Sequence, residues 1–366
     1  MFLPVSFIRE SRVALGGNLH IWEISIPFAG VLFIILSALL LLSFIKFSKN
    51  NPLIWQITGA VLFLLPWIFI PLTGQQIDIE AAPYARAAPN TGAWLLFLAC
   101  FMVFDGKKEA EYNRVIDTLI FPFLPLAIIT ILAFIGSFSR LSVYLEFLNR
   151  SDRVIREFFV HLGLALTAVG TAALVGIPAG FAAFRNRTAA QPIFAFVNGV
   201  QTIPSLALFG LLIAPLAFLS QNIPVVSALG IQGIGTAPAF IALTLYALLL
   251  IVRNTYAGLD TVPSSARDAG FGMGMSKRQL LFSVEFPIAV PVILTGMRTS
   301  LVQTVGNTAI AALIGAGGFG TFIFQGLGQG SDDLILLGAL PVVILAVIVD
   351  RVAAWLINFL TPEDLK

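Results

Sequence analysis

The chain of 366 residues is 58% hydrophobic and 11% charged, with a formal net charge of +2 at pH 7 and a mean hydropathy of +0.95. Soluble domains carry roughly 25% charged residues, so the composition excludes an ordinary soluble domain and points to a polytopic membrane protein. The small net charge argues against nucleic acid as a partner, and a single cysteine, Cys100, excludes an internal disulfide.

A bilayer crossing needs about 20 mostly apolar residues. Taken in chain order, such runs fall at 28–45, 53–72, 91–104, 118–135, 159–184, 192–218, 237–251, 288–315 and 334–360. The expected fold class is an all-α polytopic helix bundle of about nine spans. The run at 91–104 is short and also suits a re-entrant or buried segment. No cleavable signal is expected at the start, where Arg9, Arg12 and Glu23 interrupt the apolar pattern.

Basic residues orient the spans. With the N-terminus outside, the inner segments hold Lys46, Lys49, Lys107, Lys108, Arg114, Arg185, Arg187, Arg253, Arg267, Lys277, Arg278 and Lys366. The outer segments hold Arg9, Arg12, Arg86, Arg140, Arg150, Arg153 and Arg156. This bias follows the positive-inside rule and puts the C-terminus in the cytoplasm. The charged stretch 140–157 reads as an amphipathic helix on the outer surface, marking a seam between residues 1–151 and 152–366.

Residues 262–288 form the most distinctive loop. Pro263 suits a first helical turn, with Ser264 or Ser265 as its cap. Ala266, Ala269 and Gly270 give a small-residue face. Gly274 can take the positive φ that ends the first helix. Met275–Val284 then restart a helix carrying Lys277 and Arg278, and Pro287 opens the next apolar span.

Polar groups at membrane depth are costly and face a path or a partner helix. Gln201, Thr202 and Ser205 flank Pro204, which is expected to bend its span. Gln303, Thr304, Asn307 and Thr308 form a polar stripe, since 303/307 and 304/308 share helix faces. Both groups suit a translocation path and equally suit hydrogen bonding that glues a bundle together. Arg298 is an intramembrane charge whose expected partner is Glu285 or Asp268, and Asp350 with Arg351 reads as a structural pair. His20 and His161 are too few and too far apart for a metal site or an activated nucleophile, and read as interfacial. Gly315, Gly317 and Gly320 satisfy G-x-G-x-x-G without the flanking strand that a dinucleotide site requires, so they read as a tight turn or close helix contact. No P-loop, H-E-x-x-H or G-x-S-x-G occurs.

The loop resembles the "EAA" loop of ABC-importer permeases. The acid-small-small triplet falls on Asp268-Ala269-Gly270, the loop glycine on Gly274, and the exit on Val284-Glu285-Phe286-Pro287. Two departures, Asp for Glu and Gly for the second Ala, keep the acid and the small size. Three further stretches are similar to permeases for the quaternary-amine osmoprotectants glycine betaine, choline and carnitine. They begin at Gln201-Thr202-Ile203-Pro204-Ser205, at Arg253-Asn254-Thr255-Tyr256 and at Ala311-Ala312-Leu313-Ile314-Gly315. The resemblance runs from about His161 to the C-terminus.

It implies a five-helix type I permease core over 152–366, with a cytoplasmic coupling loop at 254–287. An extension of about four spans precedes it over 1–151. Asp268, Ala269, Gly270, Gly274, Met275, Lys277, Arg278 and Pro287 would meet the ATPase. Gln201, Thr202, Pro204, Ser205, Gln303, Thr304, Asn307 and Thr308 would line the path. The implied partners are two ABC ATPase subunits, a second permease, a periplasmic binding protein and the lipid of a bacterial inner membrane. ATP and Mg would sit on the ATPase, so this chain is not an enzyme and holds no cofactor or metal. A methionine-type amino-acid importer is the alternative within transport. An intramembrane enzyme or scaffold is the alternative outside it, and the sequence offers no paired carboxylates, Ser/His pair or metal cluster for the enzyme.

Overall fold

A computed structural model describes residues 6–9, 17–20, 84–90, 93–94, 130–131, 136 and 138–360. The first four expected spans lie outside the described residues, apart from helical positions 93–94 and 130–131. The chain divides into two compact units, residues 1–151 with 326–336, and residues 152–325 with 337–366.

The first unit corrects the all-α expectation. Strands β1 (Ser6–Arg9), β2 (Gly17–Leu19) and β3 (Arg86–Pro89) form an antiparallel sheet in the order β2-β1-β3. Pro89, which has no N–H to give, ends an edge strand, where a missing ladder donor is tolerated. Helix α1 (Ser142–Asn149) follows. Its Glu146 is buried and accepts from Arg86 and Arg150, each at 3.2 Å. Arg9 donates to Asp332 at 2.6 Å. The expected single surface helix over 140–157 is instead broken at Arg150, whose backbone (φ −136°, ψ 19°) leaves the helical region.

The second unit is helical. Its elements are α2 (Ser151–Arg185), α3 (Arg187–Thr202), α4 (Ser205–Asn222), α5 (Pro224–Ala228) and α6 (Thr236–Asp260). These are followed by α7 (Ser264–Gly272), α8 (Lys277–Leu280), a π-turn (Leu281–Glu285) and α9 (Phe286–Ala311). Helices α10 (Gly320–Gln329) and α11 (Asp332–Leu360) are the last described elements, with residues 326–336 counted in the first unit. Among the described residues, five helical runs are long and apolar enough to cross a membrane: α2, α4, α6, the run from Lys277 to Ile314, and α11.

Lipid tails are as apolar as leucine, so spans associate through close van der Waals contact and small residues. Helix α2 supplies these at four-residue spacing: Ala168, Ala172, Gly176 and Gly180, all buried. A Cβ at Gly176 would lie 3.0 Å from Ile251, and one at Gly180 would lie 2.6 Å from Thr255, so α2 and α6 approach backbone to backbone.

The expected span at 192–218 is two helices. Pro204 lacks an N–H, and the residue before a proline is pushed out of the helical region; Ile203 accordingly sits at φ −79°, ψ 124°. Tyr246 of α6 seals the break. Its hydroxyl donates to the Ile203 carbonyl, and its own carbonyl accepts from the Gln201 amide at 3.1 Å. Pro287 opens α9 as expected, in the first turn of the helix, where a missing N–H costs little. The π-turn just before it widens the helix, with Phe286 N–H bonded to the Leu281 carbonyl, and the run continues into α9.

Tyr246→Phe removes the one donor to the Ile203 carbonyl and is expected to cost about 1 kcal/mol. The midpoint of thermal unfolding in mild detergent should fall by a few degrees. An unchanged midpoint would show that the break needs no such seal.

Candidate coupling site

Helix α7 is held at its C-terminal end. Met275 N–H donates to the Gly270 carbonyl (3.1 Å), and Gly274 N–H to Phe271 (2.9 Å). These close the helix end, and Gly274 sits at φ 78°, a conformation that favours glycine. Gly270 is buried, and a Cβ there would lie 2.4 Å from Leu280 Cδ1, so α7 packs directly on α8. Helix α8 is short and opens with a capping box. Ser276 Oγ accepts from Gln279 N–H (3.3 Å), and Gln279 Oε1 accepts from Ser276 N–H (2.9 Å). The expected cap at Ser264 or Ser265 is absent: Pro263 is the N-cap and makes no side-chain bond.

Glu285 anchors this assembly. Its side chain is fully buried and accepts from Arg185 Nη2 at 2.6 Å and from Arg267 Nε at 3.0 Å. Arg267 also donates through Nη2 to the Leu259 carbonyl at 2.7 Å, at the end of α6, where Val262 N–H approaches the same oxygen at 3.4 Å. Its guanidinium lies 5.3 Å from the Phe184 ring centre. One arginine on α7 thus touches the ends of α2 and α6 and the base of α9. The expectation that Glu285 or Asp268 would pair Arg298 is corrected. Arg298 binds Asp350 instead, and Asp350 is therefore not the partner of Arg351.

The exposed residues of α7, α8 and the π-turn include large apolar side chains as well as charged ones. Phe271 is 49% exposed, Met273 71% and Phe282 60%. Asp268, Ala269, Gly274, Lys277, Arg278 and Pro287 are also exposed, and Met275 is half-buried. Single exposed apolar residues are ordinary; three within twelve residues of one loop that also carries exposed Asp268, Lys277 and Arg278 suit a protein partner. From sequence, Glu285 and Arg267 are named but not paired, and the exposed Phe271 and Met273 are not singled out. The available signal was a lone glutamate inside the apolar run Leu281–Glu285.

The other expected site residues split. Gln201 and Ser205 are half-buried and Thr202 and Pro204 exposed, at the break sealed by Tyr246. Thr304 and Thr308 are buried, with Thr308 Oγ1 donating to the Thr304 carbonyl at 2.7 Å. Gln303 is exposed and Asn307 half-buried. The four therefore do not form one stripe. His161 is not interfacial: it is fully buried, with Nε2 2.9 Å from the Val305 carbonyl and Nδ1 accepting from Phe319 N–H at 3.3 Å. Gly318 N–H donates to Glu157 at 2.7 Å, so the glycine turn 315–319 is pinned to α2.

Residues 172–361 match the family of binding-protein-dependent transport system inner membrane components. The chain belongs to that family, and is a transport component rather than an enzyme. Residues 1–144 match the N-terminal domain described for the ABC transporter permease YehY. Among its relatives is the osmoprotectant import permease protein OsmW of Salmonella typhimurium, 41% identical over 208 residues, which are 57% of this chain and 92% of that protein. The glycine betaine/carnitine/choline permease OpuCD of Bacillus subtilis is 38% identical over 214 residues, 58% of this chain and 86% of the relative. Among solved structures, a chain of the MetNI methionine ABC transporter in an inward-facing form matches with a TM-score of 0.51 and 21% identity. The match covers 58% of this chain and 99% of that one, a likeness of fold.

Removing one partner from a buried charge cluster is costly, and Glu285→Ala leaves two arginines facing each other. We expect a loss of roughly 3 kcal/mol. This should be read as a lower unfolding midpoint and faster protease cleavage within 261–276; an unchanged cleavage rate would remove Glu285 as the anchor.

Proposed function

We propose that this chain is the membrane-spanning permease subunit of an ATP-driven importer for quaternary-amine osmoprotectants: glycine betaine, choline or carnitine. The observation that carries the substrate class is the identity of about two in five residues shared with permeases named for these solutes. The corner around α7 and α8 supports the drive mechanism. An ATPase subunit docks on Phe271, Met273 and Phe282, with Lys277 and Arg278 at the rim. Arg267 and Glu285 then carry a push on α7 to the ends of α2, α6 and α9.

In this reading two such ATPases act on a pair of permeases, a second copy or a shorter relative. A periplasmic binding protein delivers the solute, and substrate recognition rests mainly with it. The N-terminus lies outside and the C-terminus in the cytoplasm of a bacterial inner membrane. Supporting that orientation, β1, β2, β3 and α1 fall in segments that the basic-residue bias puts on one face, and they belong to one unit. The spans before residue 138 act as a stabilising collar.

The test is purification of the tagged complex in mild detergent, with uptake of labelled solutes by the same cells. An ABC ATPase should co-purify with the chain, and labelled glycine betaine should enter in preference to labelled methionine. Gly274→Asp should insert normally and abolish uptake, because it loses the glycine turn and puts a charge on the docking corner. Uptake of methionine alone would move the chain to the amino-acid importers. A chain that never co-purifies with an ATPase would overturn the importer reading.

A further inference from the structure

The outward face of α9 carries a row at four-residue spacing: Thr295, Thr299, Gln303 and Asn307, the first three exposed. Beside that row Arg298 meets Asp350 of α11 through two bonds. Nε donates to Oδ1 at 2.6 Å and Nη2 to Oδ2 at 2.7 Å. Neither side chain is sealed off, with 34% of Arg298 and 29% of Asp350 exposed. Thr295, Arg298, Thr299, Val302, Gln303 and Asp350 line an open cavity of about 310 Å³. That is the small end of the range for small-molecule sites, roughly 300–1,000 Å³.

Position decides what such a cavity can face. Arg298 lies at the middle of α9 (Phe286–Ala311), the membrane-spanning part of its helical run. A half-exposed guanidinium and carboxylate at that depth are costly against lipid, and charges there characteristically line a substrate path or a watery cavity. The Thr295 and Thr299 hydroxyls already donate to the carbonyls four residues back, at 2.8 and 3.0 Å. Their oxygens keep lone pairs free for water or ligand, and Gln303 adds an amide.

We propose that Arg298 and Asp350 form a transient zwitterion site in the translocation path, Arg298 taking a ligand carboxylate and Asp350 its quaternary ammonium. The site rests on the quaternary-amine reading above and narrows it to the zwitterions. A molecule with a carboxylate a short linker away from an ammonium replaces one internal ion pair by two, so no charge is stranded. A simple cation such as choline satisfies Asp350 and leaves Arg298 unpaired, which a low-dielectric site penalises. The ligand must displace a formed ion pair, so binding is weak, and the pair closes again behind it.

The experiment uses the permease–ATPase complex in lipid nanodiscs, without binding protein, titrated with labelled glycine betaine and labelled choline; uptake is measured in the same host. Glycine betaine should bind saturably and at least about tenfold tighter than choline. Arg298→Gln leaves Asp350 alone and should reverse that order. The doubly neutral Arg298→Gln/Asp350→Asn strands no charge; it should still assemble with the ATPase and lose glycine betaine binding by about tenfold or more. A pair that only ties α9 to α11 behaves otherwise: the doubly neutral variant then binds and imports like wild type. That result overturns the site, as does an unchanged order in Arg298→Gln, or no saturable binding to a wild-type complex that imports glycine betaine. A wild-type complex that imports no quaternary amine overturns the substrate reading itself.

Discussion

The Glu285 carboxylate, sealed from solvent between Arg185 and Arg267, fixes how the loop region around α7 is attached to the membrane spans. Each arginine belongs to a different helix, and Arg267 also donates to the Leu259 carbonyl at the end of α6. A buried ion pair contributes little net stability against an apolar replacement, yet breaking one is expensive. Its value here is geometric. The α7 helix is not free to slide on the bundle without disrupting the charge cluster, so a displacement imposed on it reaches three spans together.

The same logic of expensive polar groups orders the rest of the second unit. Inside a bilayer every carbonyl freed by a helix break needs a partner, and Tyr246 supplies it at Ile203. His161 ties the Val305 carbonyl to the Phe319 amide, and Glu157 holds the Gly318 amide, so the glycine turn is fastened to α2. Small residues along α2 let α6 approach closely where hydrophobic burial gives no drive. Polar groups left facing outward, Gln303 and the Arg298–Asp350 pair, therefore stand out as candidates for a path.

Much of this fold was legible in the sequence, and the reasons are local. Apolar runs of bilayer length located α2, α6, α9 and α11 to within several residues, because span length is set by the membrane. Gly274 at a helix end was readable from glycine chemistry alone. What failed was pairing over distance. Arg298 was matched to Glu285 on its own helical run, whereas its partner Asp350 lies on α11; nothing in the local pattern distinguishes them. Arg267, next to the acid triplet, reads in the sequence only as one more inner basic residue, because its partners lie 8 residues before it and 18 after it. Pro204, expected only to bend its span, splits it into two helices, whereas Pro287 opens α9 as its sequence position implies. The strands β1 to β3 are too short to stand out within a strongly apolar chain.

The claim on which the account turns is that the corner carrying Phe271 and Met273 meets an ATPase. The chain has one cysteine, so Cys100→Ser gives a background in which a cysteine placed at Met273 is the only thiol. Cross-linking in native membranes with a short thiol-to-amine reagent, followed by mass identification, reads its neighbour directly. A cross-link to an ABC ATPase is expected, enhanced when non-hydrolysable ATP is present, and none from a control cysteine at Leu174 on the exposed side of α2. Cross-links from position 273 to other membrane proteins alone, with the ATPase present and unlabelled, would contradict it.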